Sequence, residues 1–333
     1  MRAVTVAPEQ RLEVSEVPDT EPGEGEVTVE VAACGICGSD LHMLPSGVLP
    51  EGSILGHELA GTVAAVGAGV EGWSEGDRVC VYPFPPIDRL DIAASLDGGI
   101  GLGTHSGGYA ERMSCPAEML WRVPDDVDLA HGALVEPLAV ALHGIDISGA
   151  QPGMKVCVLG CGPIGAMTVV GLRGRGFSDV VVIEPNEQRR ELALRLGAAT
   201  ALGLDGVHEA VIEAFGGGLP EVVIECAGNV NAPALAIEIL APEGTVALVG
   251  MLEEPVPISQ LNMMLKEAKL RGSFAYRPGS FDEAVAMLAA GKVPTEDLVT
   301  SRIGLDGVAA AFDELLRPGT PELKILIEPA RAT

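Results

Sequence analysis

Two different spacings of apolar residues divide the chain into a first part with many short strands and a second part in which strands alternate with helices. In the first part, residues 26–32 alternate polar and apolar side chains, and residues 61–67 and 77–82 are further apolar segments. A period of two is typical of half-buried strands, and glycine and proline separate these segments closely. The pattern predicts a partly closed antiparallel β-barrel.

The pattern changes near residue 150, where apolar runs begin to alternate with segments of helical spacing. The expected order is strand, helix, strand, helix, strand and strand, over residues 154–159, 163–173, 179–183, 188–196, 221–225 and 244–249. This alternation predicts a doubly wound parallel sheet, and therefore an α/β fold for this part. A later helix at 281–290 leads to a last strand at 323–328, which we expect to return to the first domain.

Composition and charge narrow the classes of function. The chain has 333 residues, enough for two domains, and 47% of them are hydrophobic. The formal net charge of -26 argues against nucleic acid and anionic membrane surfaces as partners, because their phosphates would be repelled. The acidic balance fits solubility in a crowded cytoplasm. Adaptation to high salt is an alternative that the sequence leaves open.

Cysteine usage and hydropathy indicate a reduced, cytoplasmic protein. Seven scattered cysteines and no apolar leader near Met1 argue against a secreted disulfide framework. Residues 156–172 carry no charge, but the segment is short for a membrane span and glycines and Pro163 interrupt it. It is better explained as a buried strand, turn and helix. We expect no membrane partner.

A glycine-rich turn predicts a dinucleotide site. Gly160 permits a tight exit from the strand, Gly162 lets backbone approach a pyrophosphate, and Gly165 lets helix and strand pack closely. Pro163 and Ile164 complete the turn, so that the amides at the start of the helix face the phosphates. The preceding strand and the following helix make this string specific.

Glu184 and Arg189 follow the next strand, and they predict which dinucleotide binds. Glu184 lies nineteen residues after Gly165, where a carboxylate accepts hydrogen bonds from the adenosine ribose hydroxyls. Because the same charge would repel a 2′-phosphate, NAD is favoured over NADP. Arg189 is placed to stack beside the adenine, and a solvated helix arginine is the alternative for it.

A second set of residues has the chemistry of a metal site. Cys37 and His57 supply a thiolate and an imidazole, which suit zinc, and Glu136 is the candidate third ligand. Glu136 holding a zinc-bound water is the alternative. Glu58 is a group beside the ligands or an alternate ligand, and Asp40 is expected to orient the His57 ring. Metal and dinucleotide in one chain indicate hydride transfer to or from an alcohol or carbonyl.

Several motifs in combination resemble the zinc-dependent medium-chain dehydrogenase/reductase (alcohol dehydrogenase) superfamily. The run from Gly56-His57-Glu58 through Gly61 and Gly67 to Val70 matches the zinc signature of that family position by position. The similarity continues through further segments and covers nearly the whole chain: residues 37–42, 107–111, 136–140, 225–228 and 245–250.

The resemblance implies a GroES-like barrel domain of residues 1–147 and 279–333 and a Rossmann domain of residues 148–278, with the active site in the cleft between them. It implies a proton relay from Ser39 through the cofactor ribose to His42. It also implies four residues that flank the cofactor, which are Cys226, Val249, Ser273 and Phe274.

Two departures from the family pattern affect the prediction. Residues 81–106 lack the four cysteines of a second, structural zinc, so we expect one catalytic zinc and a shortened lobe. Because that lobe often contributes to subunit contacts, we expect a homodimer formed through the nucleotide domains. Ala275 stands where sorbitol-type relatives have an arginine, which removes a polar clamp for a polyol. Compensation by Arg277 is the alternative.

The sequence therefore predicts a zinc- and NAD-dependent enzyme for a small, secondary alcohol or ketone. A polyol, sugar or amino-alcohol dehydrogenase on the same scaffold is the alternative, and a non-catalytic nucleotide-binding protein is a remote one. The natural substrate and the preferred direction are not encoded in any pattern that we find.

Overall fold

The computed structural model describes residues 1–85, 98–102 and 105–331. Contacts within the chain define two compact units. Unit 1 comprises Met1–Glu136 and Val299–Thr333, and unit 2 comprises Pro137–Leu298. The predicted shortened lobe falls largely on residues outside the described ranges.

Unit 1 is built on a mainly antiparallel sheet. In the described ranges the strands follow the order β14-β15-β3-β4-β5-β7, with β6 also paired to β3 and a separate hairpin β1-β2. The strands of this unit are β1 (Arg2–Ala7), β2 (Arg11–Glu16), β3 (Glu26–Gly35), β4 (Glu58–Val66), β5 (Arg78–Val81), β6 (Arg112–Pro116), β7 (Leu120–Arg122), β14 (Val299–Ile303) and β15 (Lys324–Ile327).

The strand predictions for residues 26–32, 61–67 and 77–82 correspond to β3, β4 and β5. Branched side chains on their inner faces, among them Val29, Val63 and Val79, are buried in one hydrophobic core. Helix α1 (Gly38–Ser46) follows β3, and helix α10 (Val308–Leu316) packs Phe312 into the same core. The alternation of apolar residues thus predicted the barrel strands correctly.

The chain does return to the first unit at its end, as the sequence predicted. Strand β15 pairs antiparallel with β3, with Leu326 opposite Gly35, and parallel with β14. The amide of Ile36 also donates to the carbonyl of Ile325. The carboxyl-terminal strand therefore lies directly beside the end of β3.

Unit 2 contains a parallel sheet with the order β10-β9-β8-β11-β12-β13. This is the doubly wound arrangement in which the strand order reverses at the first strand, here β8. Its strands are β8 (Val156–Leu159), β9 (Val180–Ile183), β10 (Thr200–Leu202), β11 (Val222–Glu225), β12 (Thr245–Leu248) and β13 (Lys269–Gly272).

Helices connect these strands, and most of the predicted ones are present within a few residues of the expected bounds. Buried residues such as Cys157, Val223 and Val246 form the core between strands and helices. The remaining helices of the chain are α2 (Val135–Ser148), α3 (Pro163–Gly174), α4 (Glu187–Arg195), α5 (Val207–Ala214), α6 (Ala232–Glu238), α7 (Gln260–Lys266), α8 (Pro278–Ala289) and α9 (Thr295–Leu298).

The boundaries of the units differ from the predicted positions at 147/148 and 278/279. Helix α2 packs on α3, since a Cβ on Gly171 would contact Leu142 and Ile145. Helix α8 also packs on α3, and Arg175 makes a bidentate ion pair with Glu283. These two helices therefore belong with the parallel sheet, which neither charge nor apolar spacing revealed.

No helix in the described part of the chain is both long enough and apolar enough to cross a membrane.

Candidate functional site

The first group of candidate residues lies where β3 ends and α1 begins. Cys37 immediately precedes the helix, and its amide donates a 3.0 Å hydrogen bond to Oδ2 of Asp40 in the first helical turn. The amino end of a helix stabilises negative charge. The position therefore suits a cysteine that binds a metal as a thiolate.

His57 reaches the same place from the start of β4. Gly56 has a φ of +98°, and a Cβ there would lie 2.4 Å from the ring of Tyr109, so the turn requires glycine. The imidazole is buried, with Nδ1 3.5 Å from Oδ1 of Asp40. The Cys37 side chain is hydrogen-bonded to it. The structure thus brings together the sulfur and the imidazole predicted as metal donors.

Negative neighbours dominate the electrostatics around the His57 ring. Burial alone would lower the pKa of His57, but the neighbouring Asp40 and Cys37 outweigh burial and raise that pKa well above its usual value. Oδ1 of Asp40 and Nδ1 of His57 are buried and face each other without a hydrogen bond of normal geometry. These neighbours favour a cation at this place, and sulfur and imidazole donors fit zinc.

The predicted third ligand is not drawn into this group. In the described ranges, no cluster of three or more His, Cys, Asp or Glu side chains could hold a metal ion. Glu136 is buried in the first turn of α2, and its charge is among those that raise the pKa of Lys324. Glu136 is therefore near this group of side chains, but it does not form a three-residue metal site with Cys37 and His57.

Glu58 has a different partner from the predicted one. Both of its carboxylate oxygens accept hydrogen bonds from the ammonium of Lys324, at 2.7 and 2.6 Å. Both side chains are buried, and the charge of Glu58 opposes the desolvation that would otherwise lower the pKa of Lys324. In this structure Glu58 is thus the counterion of a lysine that the sequence analysis did not single out.

The two residues predicted as a proton relay lie on α1 near the predicted metal donors. Oγ of Ser39 is 3.4 Å from Nε2 of His57. Nδ1 of His42, on the exposed side of the helix, is 2.7 Å from the carbonyl oxygen of Gly38. Because a carbonyl only accepts, Nδ1 of His42 carries the hydrogen there, and Nε2 remains to take a proton.

Tyr109 completes the group, and sequence reasoning gave it no role. Its hydroxyl donates a 2.6 Å hydrogen bond to Oδ2 of Asp40 in a fully buried environment. The available signal was its position in the Gly107-Gly108-Tyr109 segment. For Lys324 the signal was a single charge inside an apolar strand.

The glycine turn in unit 2 has the geometry of a pyrophosphate cradle. Gly160 has a φ of +90°, and a Cβ there would lie 2.8 Å from the backbone of Ala227. A Cβ on Gly165 would lie 2.0 Å from the carbonyl oxygen of Gly160, whereas one on Gly162 would meet nothing within 4 Å. The open space is in front of Gly162, where α3 begins with Pro163 and Ile164. The residues therefore fit a dinucleotide phosphate at this helix end.

Glu184 lies at the end of β9, close to that turn. One carboxylate oxygen accepts from the amide of Cys161 at 2.7 Å, and the other accepts from the amide of Asn186 at 2.9 Å. Each oxygen keeps a further acceptor site for a ribose hydroxyl. Arg189 is half-buried in the first turn of α4, three residues after Asn186, which caps that helix.

The remaining cofactor candidates follow the carboxyl ends of neighbouring strands, where ligands bind in such sheets. Cys226 follows β11, Val249 follows β12, and Ser273 follows β13. The hydroxyl of Ser273 is buried and has no hydrogen-bond partner, as expected of a group that awaits a ligand. Phe274 is next to it and exposed. Burial raises the pKa of Cys226 to about 12, so its thiol is unreactive.

Glu225 organises this edge of the sheet, although sequence reasoning treated it only as a strand end. Its Oε1 accepts from the amides of Ala227 and Gly228 at 2.7 and 2.8 Å. Its backbone carbonyl accepts from the amides of Val249 and Gly250. The loops that carry Cys226 and Val249 are therefore held together by one residue.

Known proteins are similar to this chain over nearly its whole length. The family described as alcohol dehydrogenase GroES-like domain matches residues 23–125, and the family described as zinc-binding dehydrogenase matches residues 163–290. (R,R)-butanediol dehydrogenase of Bacillus subtilis is 34% identical over 338 residues, covering 96% of each chain. Sorbitol dehydrogenase of Gallus gallus is 31% identical and covers 96% of this chain and 94% of its own.

A solved structure has the same fold. A zinc-binding dehydrogenase from Sinorhizobium meliloti, bound to NADP, superposes with a TM-score of 0.90 at 31% identity. The match covers 98% of this chain and 99% of that one.

Proposed function

The chain belongs to the zinc-dependent medium-chain dehydrogenase/reductase (alcohol dehydrogenase) superfamily, and on that premise we propose that it uses one catalytic zinc and NAD to interconvert a small secondary alcohol and its ketone. It is an oxidoreductase of the alcohol and polyol class. The observation that carries the proposal is that Asp40 brings Cys37 and the buried His57 ring together, within hydrogen-bond distance of the Cys37 amide and 3.5 Å from Nδ1 of His57.

Cys37 and His57 would hold the metal, with Glu136 as third ligand, either directly or through a water. When bound, zinc acts as a Lewis acid toward the substrate oxygen, and NAD accepts or returns the hydride. Asp40 orients the His57 ring through Nδ1, which leaves Nε2 as the metal-binding nitrogen. Glu58 is assigned as the counterion of Lys324 beside this site.

The relay side chains move the proton. Ser39, beside Nε2 of His57, is placed to accept the hydroxyl proton of an alcohol substrate. His42 presents Nε2 at the exposed side of α1 and can pass a proton to water, since an imidazole exchanges protons near neutral pH. When bound, the cofactor would supply ribose hydroxyl groups to this relay.

The dinucleotide is proposed to be NAD. Gly160, Gly162 and Gly165 shape the phosphate cradle, and Glu184 places a carboxylate where a 2′-phosphate would be repelled. Arg189 is proposed to lie against the adenine. The related structure from Sinorhizobium meliloti holds NADP, so this preference rests on Glu184 of this chain.

We propose a homodimer formed through unit 2. Strand β13 is the edge of the described parallel sheet. Close to it in sequence, α7 exposes the apolar side chains of Leu261, Met264 and Leu265, which are 62, 65 and 73% accessible. An exposed apolar cluster beside a free strand edge is typical of a subunit interface. Light scattering of the purified protein tests this proposal.

A cytoplasmic location is proposed from the cysteines. All seven are free thiols in this structure. Unpaired buried cysteines are typical of reducing compartments.

The polyol alternative remains because sorbitol dehydrogenase is among the relatives. Against it, Ala275 replaces the arginine clamp and has a φ of +48°, a strained conformation for a non-glycine residue. A substrate panel of diols, secondary alcohols, ketones and polyols, measured with NAD and NADP at pH 7 to 9, separates the two. Turnover of polyols alone would contradict the secondary-alcohol proposal.

A further inference from the structure

A buried ion pair crosses the middle of three adjacent strands. Glu58 begins β4 and lies opposite Gly35 of β3, while Lys324 begins β15, which pairs with β3 on its other side. The side chains are 1 and 2% exposed. Nζ of Lys324 lies 2.7 and 2.6 Å from the two oxygens of Glu58. The pair therefore joins β4 to β15 across β3.

Gly35 makes this crossing sterically possible. A Cβ at Gly35 would lie 2.1 Å from Oε2 of Glu58 and 3.2 Å from its carboxyl carbon. A side chain at this position would displace the Glu58 carboxylate. The absence of a side chain at Gly35 thus gives Glu58 its route toward Lys324 and away from its neighbour in sequence, His57.

The ammonium of Lys324 also binds the segment that carries Cys37. Its third hydrogen bond, at 2.9 Å, goes to the carbonyl oxygen of Ile36, the residue before Cys37. An ammonium has three N–H donors, and here three acceptor atoms take them. Lys324 therefore contacts Ile36, which precedes the predicted donor Cys37. It also contacts Glu58, which follows the predicted donor His57.

Glu58 is chemically able to bind a metal. Carboxylates are zinc ligands alongside cysteine and histidine, and a catalytic zinc site keeps three protein ligands and one open position. A further carboxylate next to His57 would close that position if it turned toward the metal. Here Lys324 binds both oxygens and directs the carboxylate toward β15.

We propose that Lys324 is a positioning residue that keeps Glu58 off the metal and so preserves the open coordination position for substrate. The proposal rests on the proposed function, because it requires that Cys37 and His57 hold a divalent metal. A purely structural ion pair would stabilise the fold and leave the coordination of the metal unaffected by its removal.

Cobalt substitution tests the proposal, because the absorption bands of bound Co²⁺ depend on the number and geometry of its ligands. The variants are Glu58→Gln, Lys324→Met and the double variant, with Lys292→Met as the control because Lys292 is an exposed lysine of unit 2. Imidazole is added to each protein as a probe of the open position. Circular dichroism establishes that each variant is folded.

We expect Glu58→Gln and Lys292→Met to keep the wild-type bands and their shift on imidazole addition. Lys324→Met should show displaced bands and no response to imidazole, because Glu58 is then free to bind the metal. Adding Glu58→Gln to Lys324→Met should restore both the bands and the imidazole response. If Lys324→Met had only lost stability, adding Glu58→Gln would not restore the bands and the imidazole response.

Two results would overturn the proposal. Altered bands in Glu58→Gln alone would show that Glu58 already binds the metal. Wild-type bands and imidazole response in Lys324→Met would show that the ammonium does not control the coordination. Where Lys324→Met does not fold, Lys324→Leu replaces it with the same two outcomes, since leucine also offers Glu58 no hydrogen-bond donor. A wild-type protein that takes up no Co²⁺ would instead refute the metal site itself.

Discussion

The hydroxyl of Tyr109 donates a 2.6 Å hydrogen bond to Oδ2 of Asp40, while Oδ1 of the same carboxylate faces Nδ1 of His57 at 3.5 Å. The three side chains form a buried chain from the core of unit 1 to the His57 ring, the proposed metal ligand. Groups behind a metal ligand fix its orientation, and their loss typically weakens metal binding about 10- to 100-fold.

Replacing Tyr109 by Phe should therefore weaken zinc binding by about tenfold, since Oδ2 of Asp40 loses one of its two donors and keeps only the Cys37 amide. The loss of a buried hydrogen bond to a charged group should also lower the free energy of unfolding by about 1.5–3 kcal/mol. Chelator competition measures the first effect and urea unfolding the second. Tyr82→Phe, another buried tyrosine of the same unit, is the control. Unchanged zinc affinity in Tyr109→Phe would exclude its positioning role.

Glu184 should decide the preference between the two nicotinamide cofactors. Glu184→Ala should weaken NADH binding far more than NADPH binding, because it removes both the ribose acceptor and the repulsion of the 2′-phosphate. Glu184→Gln retains oxygen and shape without charge, and should keep the hydrogen bond from Cys161 while binding NADPH better than wild type. Fluorescence titration with both cofactors measures these changes. A preference that is the same in all three proteins would refute the ribose role.

Metal affinity should rise with pH in a way that reports on His57. Its pKa is raised in the folded protein, so the metal-free protein carries an extra proton that zinc must displace. This proton stabilises the metal-free fold below the unfolded pKa, and that stabilisation is lost as pH rises through the raised folded pKa. Below that folded pKa, each released proton gives about a tenfold gain in affinity per pH unit.

Asp40→Asn removes one cause of the raised pKa and should make the dependence of zinc affinity on pH shallower near neutrality. Calorimetric titration in buffers of different ionisation enthalpy counts the protons released. An equal number of protons released by wild type and Asp40→Asn at every pH would contradict this account of the site.

The charge of -26 predicts a salt response. Raising KCl from 0.1 to 1 M shortens the Debye length from about 10 to about 3 Å and screens the repulsion among surface carboxylates. The melting temperature should therefore rise by several degrees, on the order of 1 kcal/mol in stability. Thermal unfolding followed by circular dichroism at both salt concentrations measures it. A constant or falling melting temperature would show that surface repulsion does not limit stability.

Local patterns predicted the elements of both units, because strand alternation, the glycine turn and the position of Glu184 depend on neighbours in sequence. The contacts of Lys324, Tyr109 and Glu225 could not be predicted in the same way, since they depend on how distant segments pack. The partner of Glu58, for example, is 266 residues away. The same reason explains why the packing of helices α2 and α8 on α3 was not predicted: apolar spacing defines a helix but not the elements that it packs against.

The most direct test of the account is the zinc content of wild type and Cys37→Ser, measured by elemental analysis together with alcohol oxidation and NADH binding. We predict one zinc per subunit in the wild type. In Cys37→Ser we predict loss of both zinc and turnover, with NADH binding largely retained. Full turnover in the serine variant, or an active wild-type protein without zinc, would contradict the central claim that the Cys37 sulfur and the His57 ring hold a catalytic metal.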